Sequence, residues 1–363
     1  MIKISAVGDI MPGGILSGVE SGFISKEIIG VLSNADFRVG TLESAIGDNP
    51  TFFEEKMRRK ADVIYSKIKD INKLKYLSID IVSLANNHFY DLGVESADKC
   101  IKLLDEAGVK HVGAGRNLEE ASRPVVESLN GKTIVFLAFC DWRDDTVGFC
   151  PFASETESGV NPMFDDYVVS EIKKYKKQSD YVVVLPHWGR EHTWNTTLHV
   201  YKLAKKMIKA GADLILGSHP HRVQPVVNYR NGSVAFSMGN FLFPDRLIIK
   251  PRSTFYPDSV VDFDTLPVTY GYPFVEELTL KKWKPLGRIG MIVNSSFDGS
   301  RIHSSFTLTQ LSERGSLSLL KSDSVERKLF FKSLFLRTSF YPLYYNLGRL
   351  VKSILRQIKC IID

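Results

Sequence analysis

Two kinds of segment alternate along residues 1–240. Short runs of β-branched and other apolar residues predict buried strands, and segments with apolar residues three or four positions apart predict helices. The predicted strands cover residues 2–7, 37–42, 79–84, 109–114, 133–139, 181–185, 212–216 and 234–237. The predicted helices cover residues 23–34, 94–107, 118–121, 167–177 and 198–210, with further helical spacing over 52–78. This alternation predicts a layered α/β fold with helices on the sheet faces.

Side chains that commonly bind metals stand at the ends of several of these strands. They are Asp9, Glu43, Asn87, His187, His219 and His221. Open α/β sheets place their chemistry outside the carboxyl ends of strands, so these residues are candidates for one shared site. The His-x-His pair brings two imidazoles within reach of one point, and imidazole is a common neutral metal ligand. Each has a structural alternative, such as a capped turn for Asn86-Asn87-His88 or a solvated strand end for Glu43.

The alternation of predicted strands and helices stops after Phe243. Residues 244–275 contain many Pro, Asp and aromatic residues with little periodicity, which predicts a long loop that covers the site. Residues 288–293 and 302–311 are strand-like segments joined through Phe297-Asp298-Gly299-Ser300, and the Asp-Gly turn predicts a hairpin that completes a sheet.

The C-terminal residues, 321–363, predict a helical tail with one apolar and one basic face. The apolar face comprises Leu347, Leu350, Val351, Ile354, Leu355, Ile358, Ile361 and Ile362, and the basic face Arg349, Lys352, Arg356 and Lys359. A basic amphipathic helix can lie on an anionic membrane surface, and it can equally pack on its own domain or on a partner. Charge interrupts the apolar runs too often for a membrane-spanning helix.

Composition narrows the functional classes. The chain has 363 residues and 44% hydrophobic residues, enough for one large domain with an appendage. Its 47 basic and 41 acidic residues give a net charge of +6, which argues against a dedicated nucleic-acid binder. The four cysteines form no C-x-x-C pair, which predicts reduced thiols in a cytosolic setting. The N-terminus lacks a signal-peptide pattern, so the predicted location is cytoplasmic, with the tail at the inner face of the membrane.

Taken together, the motifs resemble the CapA family, which is associated with poly-γ-glutamate capsule synthesis and is similar to calcineurin-like metallophosphoesterases. The resemblance covers about residues 1–245. The matching motifs are Gly8-Asp9-Ile10-Met11, Leu42-Glu43, Ser83-Leu84-Ala85-Asn86-Asn87-His88 with Asp91, Gly113-Ala114-Gly115, His187-Trp188-Gly189, His219-Pro220-His221 and Ser237-Met238-Gly239-Asn240-Phe241. The resemblance implies a four-layer sandwich of two central mixed sheets flanked by helices, with a metal centre at the strand ends.

The resemblance also implies roles for these residues. The centre holds one or two divalent ions, with Mn, Zn or Fe favoured, and Glu43 takes the bridging position. Asp9 and His221 hold one ion, and the other is held by Asn87, His187 and His219. His88 protonates the leaving group and Asp91 orients it. Two departures from the phosphoesterase pattern are the thioether of Met11 in place of an imidazole, and Glu43 in place of an aspartate.

Five further residues are candidates for substrate binding: Arg116, Arg190, His192, Arg222 and Asn240. Arginine suits carboxylate and phosphate equally, so these residues fit an anionic polymer or a phosphorylated substrate, and the alternative is ordinary surface residues. The sequence predicts a domain over 1–320, with core motifs in 1–245, a lid-like loop over 244–285, closing strands over 286–312, and the tail at 321–363. The favoured function is a metal-dependent hydrolase in the biosynthesis of a capsule or other anionic cell-surface polymer. The alternative is a non-catalytic subunit of a capsule synthesis complex that retains a metal site.

Overall fold

The structure is a computed structural model that describes residues 1–48, 63–143, 150–249, 253–254, 259–270, 277–299 and 301–362. Its first large sheet has the strand order β22-β21-β20-β1-β2-β5-β6, with β15 also paired to β1. These strands are β1 (Ile2–Ile10), β2 (Phe37–Leu42), β5 (Ile81–Ser83), β6 (Lys110–Val112), β15 (Asn240–Leu242), β20 (Ile289–Asp298), β21 (Arg301–Leu311) and β22 (Leu317–Leu319). Strands β1, β2, β5, β6 and β15 run parallel, and the hairpin β20–β21 joins β1 antiparallel. The predicted closing hairpin is therefore confirmed.

The second large sheet has the order β13-β14-β12-β11-β9-β8. Its strands are β8 (Val125–Leu129), β9 (Lys132–Cys140), β11 (Tyr181–His187), β12 (Leu214–Leu216), β13 (Val226–Tyr229) and β14 (Gly232–Ala235). The four central strands are parallel and the two edge strands are antiparallel to their neighbours. Two short pairs lie outside the large sheets: β3 (Ala45–Ile46) with β4 (Tyr65–Ser66), and β7 (Ala114–Gly115) with β10 (Gly159–Val160).

The two large sheets pack face to face, with helices outside them. Phe37 of β2 contacts Phe136 of β9 with ring centroids 6.1 Å apart. The helices are α1 (Lys26–Ser33), α2 (Asn72–Tyr76), α3 (Val94–Glu106), α4 (Leu118–Ala121), α5 (Asp165–Lys176), α6 (Leu198–Ala210), α7 (Asp323–Leu336) and α8 (Tyr341–Ile362), and 3-10 turns cover Gly14–Leu16, Ile68–Ile71 and Pro285–Arg288. Helices α5 and α6 cover the second sheet, and α1 and α3 pack on the first. This helix–sheet–sheet–helix order confirms the predicted four-layer fold class.

Helix α6 shows how local sequence fixes an element. It begins where the Thr197 hydroxyl accepts a hydrogen bond from the Val200 N–H, and it ends at Gly211, whose φ of 113° lies in the left-handed region. Its apolar stripe, which includes Leu203 and Met207, is buried against the second sheet. The chain then enters β12, which delivers His219 to the site.

The first strand, predicted over residues 2–7, extends through Gly8 in the structure. The chain does not turn there, because β1 continues through Asp9 to Ile10. A Cβ atom at residue 8 would lie 1.8 Å from the carbonyl oxygen of Gly239, so the glycine permits close approach of the segment that carries Asn240. The Gly-Asp motif thus reflects packing of two backbones beside the site.

The predicted long loop over 244–275 is wrong in part. A small sheet with the order β17-β16-β19-β18 forms there, from β16 (Arg246–Ile249), β17 (Ser253–Thr254), β18 (Val268–Thr269) and β19 (Thr279–Lys281). These strands have two to four residues each, too few to show an alternating pattern in the sequence. Leu247 and Leu280 bury apolar side chains against Ile15, which attaches the small sheet to the core.

The helical spacing predicted over 52–78 falls partly on residues 49–62, which lie outside the described residues. Within 63–78, strand β4 comes first, and only Ile68–Ile71 and α2 are helical. The helical prediction therefore holds for the C-terminal part of this segment.

The predicted helical tail consists of α7 and α8, and the two helices differ in burial. Leu329, Leu336 and Tyr341 are buried against the body of the protein, and the Tyr341 hydroxyl donates to the Thr196 carbonyl oxygen. Beyond Tyr345, every α8 side chain described is exposed. No helix in the described part of the chain is long and apolar enough to cross a membrane. The division into a 1–320 domain and a separate tail stays a prediction.

Candidate metal centre and adjoining cavity

The carboxyl ends of strands from both large sheets meet around a buried polar cluster. Its members are the predicted metal ligands Asp9, Glu43, Asn87, His187, His219 and His221, each at most 3% exposed. Two groups of three can each place one ligand atom per residue within 4.8 Å of the others: Glu43 with His187 and His219, and Asp9 with Glu43 and His221. Glu43 belongs to both groups. These buried groups could hold a metal ion, with Glu43 between two positions.

The first half of the cluster centres on His187. Its Nε2 lies 2.8 Å from Asn87 Oδ1, 3.1 Å from His219 Nδ1 and 3.6 Å from Glu43 Oε1. Its Nδ1 lies 2.9 Å from the Ser218 hydroxyl. A partner on the far nitrogen of an imidazole fixes the ring orientation and directs the other nitrogen to a metal. The hydroxyl of Ser218 therefore aims His187 Nε2 into the cluster.

The second half centres on His221. Its Nε2 lies 3.5 Å from Glu43 Oε1, and its Nδ1 lies 3.4 Å from Asp9 Oδ2 and 2.8 Å from Asn240 Oδ1. Asn240 is fully buried and donates from Nδ2 to the Gly287 carbonyl oxygen at 2.8 Å. The structure thus places Asn240, predicted to bind substrate, where it orients His221.

The donor set fits a divalent cation. Both carboxylate oxygens of Asp9 are buried and have no hydrogen-bond partner among the described residues. A buried carboxylate without donors is costly, and a cation would offset that cost. Carboxylate, amide and imidazole groups together suit Mn²⁺, Fe²⁺ or Zn²⁺. Met11 is fully buried in an apolar cluster with Ile64 and Phe243, which agrees with the absence of an imidazole at that position.

The loop that carries the His-x-His pair adopts an unusual backbone. His219 and His221 have φ values of 94° and 48°, in the region that side chains with a Cβ rarely occupy. Such strain is found at sites where surrounding structure holds it in place. Here it allows both imidazoles to face the cluster from one short loop.

His88 and Asp91 form a pair beside the cluster. His88 Nδ1 lies 2.6 Å from Asp91 Oδ2, and the fully buried Asp91 also accepts the Ile64 N–H at 2.7 Å. The backbone N–H of His88 donates to Asn86 Oδ1, and Asn86 Nδ2 donates to the Leu42 carbonyl oxygen, which ties the loop to β2. Asp91 thus engages Nδ1 and fixes the orientation of the His88 ring.

A cavity of about 470 Å³ opens beside His88 and His221. Five lysines and arginines line it, and the small sheet and the segment after it supply most of them. The other lining residues are Ile64, Glu191, His192, Arg222, Arg246, Tyr270, Lys281, Lys282, Trp283 and Lys284. The cavity is therefore positively charged and suited to anions.

The predicted substrate-binding residues fall in different places. Arg222 and His192 line the cavity. Partial burial, together with repulsion from the guanidinium groups of Arg222 and Arg246, lowers the pKa of His192 to about 4, so its imidazole is neutral at pH 7. Arg190 is exposed and is not among the lining residues. Arg116 is exposed, pairs with Glu120 and lines a different cavity.

Sequence reasoning missed Arg246, Trp283 and Glu191, which also line the cavity. No motif marks Arg246 or Glu191. The only sequence signal was the basic and aromatic run Lys281-Lys282-Trp283-Lys284. Such a run beside a proposed anion site is a usable signal, although its position in space depends on the short strand β19.

Residues 3–245 match the family described as "Bacterial capsule synthesis protein PGA_cap". The chain belongs to this family. The resemblance drawn from the motifs is thereby confirmed, and the PGA_cap match ends where the small sheet begins. The PGA_cap region includes every residue of the candidate metal centre. Four of the basic residues that line the cavity lie outside this region: Arg246, Lys281, Lys282 and Lys284.

Two curated relatives carry names in line with the PGA_cap family. The chain is 28% identical over 347 residues to "Capsule biosynthesis protein CapA" of Bacillus anthracis, covering 90% of this chain and 78% of the relative. It is 29% identical over 250 residues to "PGA biosynthesis protein CapA" of Bacillus subtilis (strain 168), covering 67% of this chain and 63% of the relative. A solved structure of a hypothetical protein from Thermus thermophilus is 13% identical, with a TM-score of 0.47 over 85% of this chain and 99% of that one.

Proposed function

We propose that this PGA_cap protein is a metal-dependent hydrolase of the phosphoesterase type that acts in biosynthesis of a capsule or other anionic cell-surface polymer such as poly-γ-glutamate. The observation that carries the proposal is a buried cluster of two candidate ligand groups, both of which include Glu43. This cluster lies next to the His88–Asp91 pair and a basic cavity. The names of the relatives support a role in the synthesis of such a polymer, and a capsule synthesis complex is the proposed partner. The cytoplasmic location stays a prediction.

Asp9, Glu43, Asn87, His187, His219 and His221 would hold one or two divalent ions, with Mn, Zn or Fe proposed from the donor types. When bound, such ions supply Lewis acidity toward a substrate oxygen and lower the pKa of water. The chain's own residues supply the rest. His88 donates a proton to the leaving oxygen, Asp91 holds its ring in position, and Arg222 binds negative charge on the substrate.

Turnover of a generic phosphodiester and a phosphomonoester tests the proposal. We expect hydrolysis that requires added Mn²⁺ or Zn²⁺ and that is lost in an Asn87→Ala, His219→Ala double variant. Bound metal without turnover of either compound would favour the alternative, an assembly subunit that retains the site.

The exposed part of α8 supports a proposed contact with a membrane surface. Six apolar side chains recur at helical spacing and are 46–60% exposed: Leu343, Leu347, Leu350, Val351, Ile354 and Leu355. Arg349 and Lys352 are exposed beside them. An apolar stripe flanked by basic residues is complementary to anionic lipid, and each basic residue near such a surface contributes about 1 kcal/mol. We therefore propose anionic lipid as the occupant of this face.

A Leu347→Glu, Ile354→Glu double variant is expected to bind vesicles of phosphatidylglycerol at least about tenfold more weakly than the unmodified chain, because it places charge in the apolar stripe. Co-sedimentation with the vesicles measures this. The unmodified chain should bind neutral phosphatidylcholine vesicles weakly.

The matched control is a Val94→Glu, Val126→Glu variant, since both valines are exposed apolar residues elsewhere, at 46% and 52%. It should bind vesicles like the unmodified chain. A chain that does not bind the vesicles and that sediments as a dimer through α8 would contradict the proposal and identify a second copy as the occupant.

A further inference from the structure

Arg222 is a buried cation in the wall of the cavity. Its side chain is 7% exposed, and Nη1 donates to the His221 carbonyl oxygen at 2.7 Å. No carboxylate pairs with it in the part of the chain that the structure describes. A buried guanidinium without an acidic partner is costly, and a bound anion would offset that cost.

Arg246 is the second buried cation in this wall. It lies on β16 and is 6% exposed. Its guanidinium stands 5.4 Å from the ring centroid of Trp283 and 5.8 Å from that of Phe243. Aromatic contacts of this kind hold a guanidinium in place, and a guanidinium is well suited to a carboxylate or phosphate.

Trp283 lies between Arg246 and His221 of the candidate metal centre. Its ring centroid lies 5.1 Å from that of His221, and its backbone N–H donates to Asp245 Oδ1 at 2.6 Å. Asp245 in turn pairs with Arg288 at 3.1 Å. These contacts hold Arg246 near the imidazole of His221, and Arg222 is held there by its own hydrogen bond to the His221 carbonyl oxygen.

We propose that Arg222 and Arg246, the latter held by Trp283, form an anion-binding subsite beside the candidate metal centre. It binds a carboxylate or phosphate group of the substrate next to the group that reacts, so the protein selects substrates with at least two anionic groups. The role in substrate selection rests on the proposed function, whereas the binding of anions by the two arginines does not. The partly exposed Lys281 and the exposed Lys284 extend the same charge toward the cavity mouth.

The test is calorimetric titration of the full chain, with and without Mn²⁺, using glutarate, butyrate and inorganic phosphate as probes. Glutarate has two carboxylates and butyrate one, and inorganic phosphate distinguishes a phosphate subsite from a carboxylate subsite. We expect the metal-free chain to bind glutarate or phosphate, and Arg222→Met and Arg246→Met each to weaken that binding about 10- to 100-fold, because charge-assisted hydrogen bonds are lost. With Mn²⁺ present, glutarate should bind more tightly than butyrate.

Two further variants keep the test decisive. Arg246→Lys keeps the charge but loses the planar fork, so its affinity should lie between those of the unmodified chain and Arg246→Met. Arg123→Met removes an exposed arginine in the other cavity and should leave the affinity for both anions unchanged. Glutarate and phosphate binding unchanged in both methionine variants, with melting temperatures also unchanged, would overturn the subsite. Arginine-dependent binding without any metal-dependent turnover would instead contradict the proposed function and leave the subsite standing.

Discussion

Adding Mn²⁺ to the metal-free chain is expected to raise its melting temperature by several degrees, and a Glu43→Gln variant is expected to show no such rise. A ligand that binds only the folded state stabilises it by about 2.7 kcal/mol at one hundred times its Kd. Glu43 is the residue common to both groups of candidate ligands, so glutamine removes a negative charge from both at once. Differential scanning calorimetry with and without the metal measures the difference.

The matched control for Glu43 is Glu120→Gln. Glu120 is a carboxylate that pairs with Arg116 in the other cavity, away from the metal centre. This variant should keep the full metal-dependent rise. An equal rise in the Glu43→Gln variant would show that the metal binds elsewhere.

The second large effect is a loss of kcat, expected for His88→Ala. Removing a general acid lowers kcat by a factor of about 10²–10⁴. Metal content should stay at the level of the unmodified chain, because His88 belongs to neither group of candidate ligands. Asp91→Asn should lower kcat by a smaller factor, about 10–100, because the ring loses its orienting carboxylate. Steady-state kinetics on a phosphodiester, with metal analysis of each variant, measures both.

His111 provides the control for this pair. Its Nε2 lies 3.2 Å from Asp105 Oδ1 in the other cavity, so it is a second histidine–aspartate pair without proposed chemistry. His111→Ala should retain full activity. A kcat within twofold of normal in His88→Ala would remove His88 from the mechanism.

The sequence predicted much of the fold because the core strands are long or strongly apolar. Strand β9 is a nine-residue example, and the predicted run at 133–139 lies within it. The candidate ligands followed from the same pattern, since polar residues such as Glu43 and His187 stand where an apolar strand ends. Parallel strands then bring those ends together without further information.

The rest depended on tertiary contacts that leave little trace in the sequence. The small sheet consists of very short strands, so the sequence could not place Arg246 and Lys281 beside the candidate metal centre. Gly8 is required by the close approach of Gly239, a contact between segments far apart in the chain that the sequence does not indicate. Arg116 is near a motif in sequence, yet it lines another cavity, because nearness along the chain does not fix the direction of a surface side chain.

The central claim is that the buried cluster binds divalent metal, and elemental analysis of the purified protein tests it most directly. We expect one or two equivalents of metal per chain after reconstitution with Mn²⁺ or Zn²⁺, and a loss of that metal in the Asn87→Ala, His219→Ala double variant. No bound metal in the reconstituted chain, or the same amount in the double variant, would contradict it.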